Sequence, residues 1–367
     1  MAATKLPDDF KCPISLEIMS DPVILSSGHT FDRSSIRQWL DAGHRTCPIT
    51  KLPLSDPPTL IPNHSLRSLI SNYTLVPFPA PLNPEPKFLI SSLLTPYSSP
   101  ELKLSSLDQL SRLSKRDSGL CRRLIENDVV STVLNFVSSD DSVLQEKALT
   151  LLLNLSLDDH NKVGLVAEGA IGRVVTVLCG GGSPDCRAVA ATTLTSLAVV
   201  EVNKATIGAY PCAIQGLVFL LRDGNVRERK EAATALYTLC CFPDNRRRTV
   251  ESGAVMILMG VIAGSGLERA VQVLSLLTKC KEGREEMMKI RDFGMSILVN
   301  VLRKGSSRGI QYALLTLISI CSYSNDVCLE AMRQMVFKHC LALLEDDDEK
   351  IRRNASSLVQ ILGGIKL

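Results

Sequence analysis

From about residue 101 onward, apolar side chains recur three, four and seven positions apart, the spacing that places them on one face of a helix. The clearest of these faces begins with a small residue. Ala148, Ala190, Ala232, Ala270, Ala313 and Ala355 follow one another at intervals of 42, 42, 38, 43 and 42 residues. Four positions after each stands Leu152, Leu194, Leu236, Leu274, Leu317 or Val359, and seven after it Leu155, Leu197, Leu239, Leu277, Ile320 or Leu362. Ser106, Leu110 and Leu113 make an earlier copy, 42 residues before Ala148. A small side chain lets backbones approach where helices cross, and the larger ones fill the groove beside it. Gly169, Pro211 and Gly253 each stand 21 residues after a repeat alanine, where they end one helix and redirect the chain into the next. Each unit is therefore expected to hold a short first helix, a second, and a long third that carries the alanine signature. Stacked units of this length make a solenoid, a shape that holds partners. The 38-residue interval, with Gly264-Ser265-Gly266 just before Ala270, is expected to reflect a shortened connection or second helix. The array is expected to close at Leu367, directly after the last signature helix.

Residues 10 to 73 have a different texture, short apolar runs broken by turn chemistry. Pro22 to Phe31 reads as a hairpin around a Ser-Gly turn. Asp32 is placed to cap a helix from Arg33 to Asp41, with Ile36 and Leu40 on its buried face and Gly43 stopping it. Asn63 is placed to cap another, in which Leu66, Leu69, Ile70 and Tyr73 form the packing stripe. Between the two regions, Val76 to Pro86 carries five prolines at near-alternate positions, which read as an extended linker. The domains expected are a front module over 5–76, a linker over 77–100 and an array of about six repeats over 101–367.

Composition narrows the function classes. Hydrophobic residues make up 45% and aromatics only 4%, which suits helical cores of Leu, Ala, Val and Ile. With 41 basic against 38 acidic residues the net charge is +3, too small an excess for a protein whose main partner is nucleic acid. Twelve cysteines are scattered singly and read as reduced thiols. No stretch reaches the apolar length of an integral membrane span and the N-terminus has no apolar signal region, so the chain is expected to be soluble and cytoplasmic, with the nucleus also open. Arg227-Glu228-Arg229-Lys230 and Arg246-Arg247-Arg248 flank the Ala232 helix; solvated faces are the plainer reading, and a shared surface the sharper one.

The chemistry is sought in the front module. Cys12-Pro-Ile-Ser15 and, 35 residues on, Cys47-Pro-Ile-Thr50 look like halves of a two-zinc module from which half the ligands are missing. A structural zinc takes four Cys or His donors. Residues 1 to 80 offer Cys12, Cys47, His29, His44 and His64, with Ser15 and Thr50 standing where the partners of the two cysteines belong. No metal and no cofactor are expected, and hydrogen bonds, ion pairs and a small core must hold the loops instead. Neither cysteine stands with an obvious His and acid partner, so a covalent nucleophile is not expected.

Residues 7 to 75, through both Cys-Pro-Ile loops to the Asn63 helix, resemble a U-box, the metal-free relative of the RING finger. The third-helix runs Ala-Leu-Thr-Leu-Leu-Leu-Asn-Leu-Ser at 148–156 and Ala-Ala-Thr-Ala-Leu-Tyr-Thr-Leu-Cys at 232–240 resemble armadillo repeats, with HEAT repeats the runner-up. Together the chain resembles the plant U-box/armadillo ubiquitin ligases. The fold implied is mainly α, a small α+β U-box followed by an all-α armadillo superhelical solenoid. The activity implied is that of an E3: the U-box binds a ubiquitin-charged E2, and the repeats recruit a protein substrate whose lysine attacks the thioester. Carried over by position, the E2-docking residues are Ile14, Leu16, Trp39 and Pro48. Lys51 stands where the family often has a basic linchpin that bridges E2 and ubiquitin; a solvated loop lysine is the alternative. Asn154 matches the backbone-clamping asparagine of peptide-binding armadillo arrays. Ser196, Thr238, Leu276, Ser319 and Ile361 fill the equivalent positions, so a long peptide held by an asparagine ladder is not expected. A U-box homodimer stays open, and the rival reading is a non-catalytic armadillo scaffold or transport adaptor.

Overall fold

The computed structural model describes residues 8–55, 57–73, 85–115, 117–126, 129–180 and 182–364. They fall into two compact units, divided between Pro84 and Glu85. The proline-rich run from Val76 to Pro84 lies outside the described residues, as do residues 5–7, 74 and 75 of the front module and the terminal Leu367.

In the first unit, β1 (Pro22–Ile24) and β2 (Thr30–Asp32) form the expected antiparallel hairpin, with Val23 opposite Phe31. Gly28 supplies the positive φ of +78° that its turn requires. β3 (Ile61–Pro62) pairs with the other side of β1, giving the order β2-β1-β3. Helix α1 (Arg33–Asp41) leaves β2 directly, because Asp32 accepts from the Ser34 amide and starts it. Asn63 does the same for α2 (His64–Tyr73), accepting from the Leu66 amide. Phe10, Cys12, Met19, Val23, Leu25, Phe31, Ile36, Cys47 and Ile70 form the core. In α2, Ile70 enters that core and Leu66 borders it, while Leu69, expected in the same stripe, is 51% exposed. One residue is a rotation of about 100° on a helix, enough to carry Leu69 off the face that Ile70 buries. The side chain of Tyr73 lies outside the described residues.

In the second unit, signature helices over 142–155, 184–197, 226–240, 268–277, 307–321 and 349–363 stack in sequence order behind α4 (Pro100–Ser114). Ser106 and all six repeat alanines are fully buried at the crossings. The array begins earlier than expected: α3 (Pro86–Leu94), within the span read as linker, packs on α4 and buries Leu89 and Leu93 in the array's core. Pro86 occupies the first turn of α3, where its missing N–H costs nothing. Between first and second helices, Gly169 and Gly253 adopt φ of +86° and +77°. After Pro211 the left-handed residue is Cys212, one position later.

The short repeat is short in its third helix, not in its connection or its second helix. Six signature helices start six residues before their small residue, each capped by Ser99, Asp141, Ser183, Asn225, Ser306 or Asp348. The helix containing Ala270 starts at Glu268, and the equivalent cap position is Ala263, inside the preceding helix Ala254–Ser265. Four residues, about one turn, are gone from its start. Among the described residues, no single helix is long and apolar enough to cross a membrane.

Candidate functional site

The two Cys-Pro-Ile loops close in the same way. The Leu16 amide donates to the Cys12 carbonyl and the Cys12 amide to the Glu17 carbonyl; Lys51 and Cys47 repeat this with Cys47 and Leu52. Ser15 and Thr50 each turn a hydroxyl back to accept from the amide two residues on, at 3.4 Å. The loops end on residues of positive φ, +61° at Leu16 and +59° at Lys51. A non-glycine side chain pays steric strain there, and a Leu that is also 74% exposed gains no burial in return.

Hydrogen bonds centred on Asp32 hold the first loop and the start of α1. Oδ2 of Asp32 accepts from the Ser20 amide and hydroxyl and the Asp21 amide; Oδ1 accepts from the amide and hydroxyl of Ser34. Burial alone raises this carboxyl's pKa, but those donors outweigh it and hold the group below its ordinary value. The Asp32 amide in turn donates to the Cys12 sulfur at 3.3 Å, joining the first loop to the start of α1. The thiol of Cys12 is lowered too, the raising effect of burial outweighed by the amides of Ser15, Asp32 and Ile14. Ser27 donates to the Cys47 sulfur at 3.2 Å. Against the opposing effect of burial, that contact and those from Thr50 and Ile49 bring Cys47 down to about 7. Arg33 reaches Asp21 at 2.6 Å, and Arg67 reaches the same carboxylate at 3.5 Å from α2. Among the described residues no three His, Cys, Asp or Glu side chains converge as metal ligands.

Trp39 is half-buried on α1, its ring bordering the core. Its Nε1 donates to the Thr46 carbonyl at 2.9 Å, which ties α1 to the loop carrying Pro48. His44 stacks on it with centroids 4.0 Å apart, and the Lys51 ammonium stands 5.4 Å from the ring centroid. Trp39, the second loop and Lys51 are thus one assembly. Ile14 is half-buried against the same core, and Pro48 is half-buried while the exposed Leu16 caps the first loop. Ile49, at the position in the second loop that Ile14 holds in the first, is 45% exposed, and Leu52 is 61% exposed. The place of Ile49 in a repeated loop was the signal for it; Leu52 matches the polar Glu17 of the first loop and had none. The assembly can offer an apolar protein-docking surface with one cation beside it.

Asn154 takes no part in a binding surface. It is 4% exposed, and its amide donates to the Ser111 carbonyl and to the hydroxyls of Ser111 and Ser114 in the preceding repeat. A side chain spent on joining repeats cannot clamp a peptide. Ser196 and Ser319, at equivalent positions, likewise donate to Ser156 and Thr278 carbonyls one repeat back.

Residues 6–75 match the U-box domain family, and residues 90–363 match the plant U-box protein ARM repeat region. The chain is 58% identical to U-box domain-containing protein 8 of Arabidopsis thaliana, over 100% of this chain and 99% of that one. It is 29% identical to the E3 ubiquitin-protein ligase PUB23 of the same plant, over 97% of this chain and 92% of that one. Among solved structures, an engineered protein superposes with a TM-score of 0.67 at 19% identity, covering 76% of this chain and 68% of its own, a likeness of fold alone. Two repeated Cys-Pro-Ile loops in the first unit and a stacked array of alanine-signature helices in the second, with both family matches falling on those same two units, mean that the chain belongs to the plant U-box family with an armadillo-repeat region.

Proposed function

We propose that this protein is an E3 ubiquitin-protein ligase that works without a covalent intermediate on the ligase. The U-box docks a ubiquitin-charged E2 on Ile14, Leu16, Trp39 and Pro48, and the armadillo array recruits the protein substrate. The observation that carries the reading is Leu16, a large apolar side chain held in solvent on a strained backbone, beside loops and a helix that are locked by hydrogen bonds. Strain and exposure cost stability, so a partner is the economical account of both.

In this mechanism rate comes from positioning. Lys51 acts as the linchpin: a charge on a fixed loop beside Trp39 holds ubiquitin against the E2 so that the thioester carbonyl meets the incoming lysine amine. Arg would make a two-pronged contact there, and Lys supplies a single compact charge. A mixture of the purified chain with E1, a panel of E2 enzymes, ubiquitin and ATP is expected to build ubiquitin chains, and I14A or P48A to abolish them with the fold intact. Chelator is expected to change neither fold nor activity. Silence of the wild type across the panel overturns the ligase reading; full activity of both variants overturns the docking surface.

A further inference from the structure

The short 38-residue interval leaves a chemical trace one repeat upstream. Arg187, three residues before Ala190, donates through Nε to Oε1 of Glu228 at 2.8 Å, across the boundary into the next repeat. Glu228 stands four residues before Ala232, is 2% exposed, and closes the capping box of its helix with Asn225. Arg229 occupies in the next repeat the position of Arg187, three before Ala232. The position that would supply its carboxylate, four before Ala270, is Gly266, in the left-handed turn that replaces the lost helical turn. Arg229 is left with one bond from Nη2 to the Arg222 carbonyl, at 3.0 Å, and its Nε is buried with no hydrogen-bond partner among the described residues. Asp223 faces both arginines, but Arg222 holds it through three N–H···O contacts.

Both guanidinium groups border a cavity of about 440 Å³ whose other walls are Ile257, Gly260, Val261, Gly264 and Ser265. A Cβ added at Gly260 or Gly264 would meet nothing within 4 Å. The space exceeds that of one carboxylate and carries an apolar wall, as a polypeptide segment requires. We propose that this cavity receives a Glu or Asp side chain from a protein partner, its carboxylate pairing with the guanidinium of Arg229 as a partner in trans for the one that Glu228 supplies to Arg187 in cis. An under-satisfied guanidinium favours a planar two-oxygen acceptor, and the neighbouring residues of the segment cover Ile257 and Val261. This rests on the reading that the array recruits proteins, and it names the chemistry of one contact.

The test uses the full-length chain and an immobilised set of heptapeptides with a central Glu between Leu and Ser residues, paired with twins carrying Gln. Wild type is expected to retain the Glu set at least tenfold better than the Gln set. R229Q is expected to erase the difference. G264E, which supplies a carboxylate from inside the cavity, is expected to raise the melting temperature and also erase it, so the inference stays testable if R229Q folds poorly. Ubiquitin discharge from a charged E2 to free lysine is expected to be unchanged in both variants, which separates this contact from the ligase reading. Equal retention of Glu and Gln peptides by wild type, or a preference that survives both substitutions, overturns the proposal.

Discussion

Asn203 donates through its side-chain amide to the Leu197 carbonyl at 3.0 Å and to the Lys162 carbonyl at 3.3 Å, so one buried group joins two repeats. Asn161 and Asn245 stand 42 residues to either side; Asn245 makes the same pair of bonds, to Leu239 and Lys204, and Asn161 bonds to Leu155. Buried carbonyls left without a donor cost about 1–3 kcal/mol. N203A is therefore expected to lower stability by that amount, read as a lower midpoint in urea unfolding followed by circular dichroism.

Asn245 also dictates its neighbour. A Cβ at Gly208 would stand 1.8 Å from Asn245 Oδ1, a distance no side chain tolerates. G208A is expected to cost about 1–3 kcal/mol. In a double-mutant cycle with N245A the two losses should sum to more than the double variant shows, because removing the amide removes the clash.

The row Asn161, Asn203 and Asn245 shows where sequence reading stopped short. Its 42-residue spacing is as visible as that of the alanines, yet an asparagine early in a helix reads as capping or turn chemistry, and only packing reveals amides turned inward. Asn154 failed in the opposite sense: its position matched a ligand clamp, but burial against Ser111 and Ser114 spends every donor it has. Gly264 and Gly266 marked the short repeat correctly and located its loss wrongly, since the decisive residue is Ala263, where a capping Ser, Asp or Asn stands in the other copies. The hairpin, the Asp32 and Asn63 caps and the six alanine-signature faces were legible because each depends on local spacing alone; in the earlier copy Leu113, expected on the buried face, is 38% exposed, and Ser111 and Ser114 are buried there instead. The joining of Trp39 to the second loop was not, because a bond to the Thr46 carbonyl depends on how the chain returns.

Asp32 makes the U-box acid-sensitive. Its folded pKa lies below the ordinary carboxyl value of 3.8, so the stability it lends is complete at neutral pH. That stability starts to fall as pH nears the unfolded value and is lost as pH drops through the folded one. D32N is expected to cost about 2 kcal/mol at pH 7, with the gap to wild type closing as the solution is acidified below pH 4. The fluorescence of Trp39, the one tryptophan in the chain, reports unfolding of this unit.

Leu16 separates stability from docking. Glycine at this position relieves the left-handed strain of about 1–2 kcal/mol and adds a chain-entropy cost of about 0.5–1 kcal/mol. L16G is expected to leave U-box stability within about 1 kcal/mol of wild type while weakening E2 binding at least tenfold, as measured by titration of an active E2 against the full-length chain.

Single-turnover discharge tests the account most directly. An E2 charged with ubiquitin, freed of E1 and ATP and mixed with free lysine, is expected to lose its thioester faster when the protein is added. I14A is expected to remove the acceleration, and K51A to reduce it with E2 binding retained. Unchanged discharge with wild type across a panel of E2 enzymes that respond to other U-box proteins would contradict the account.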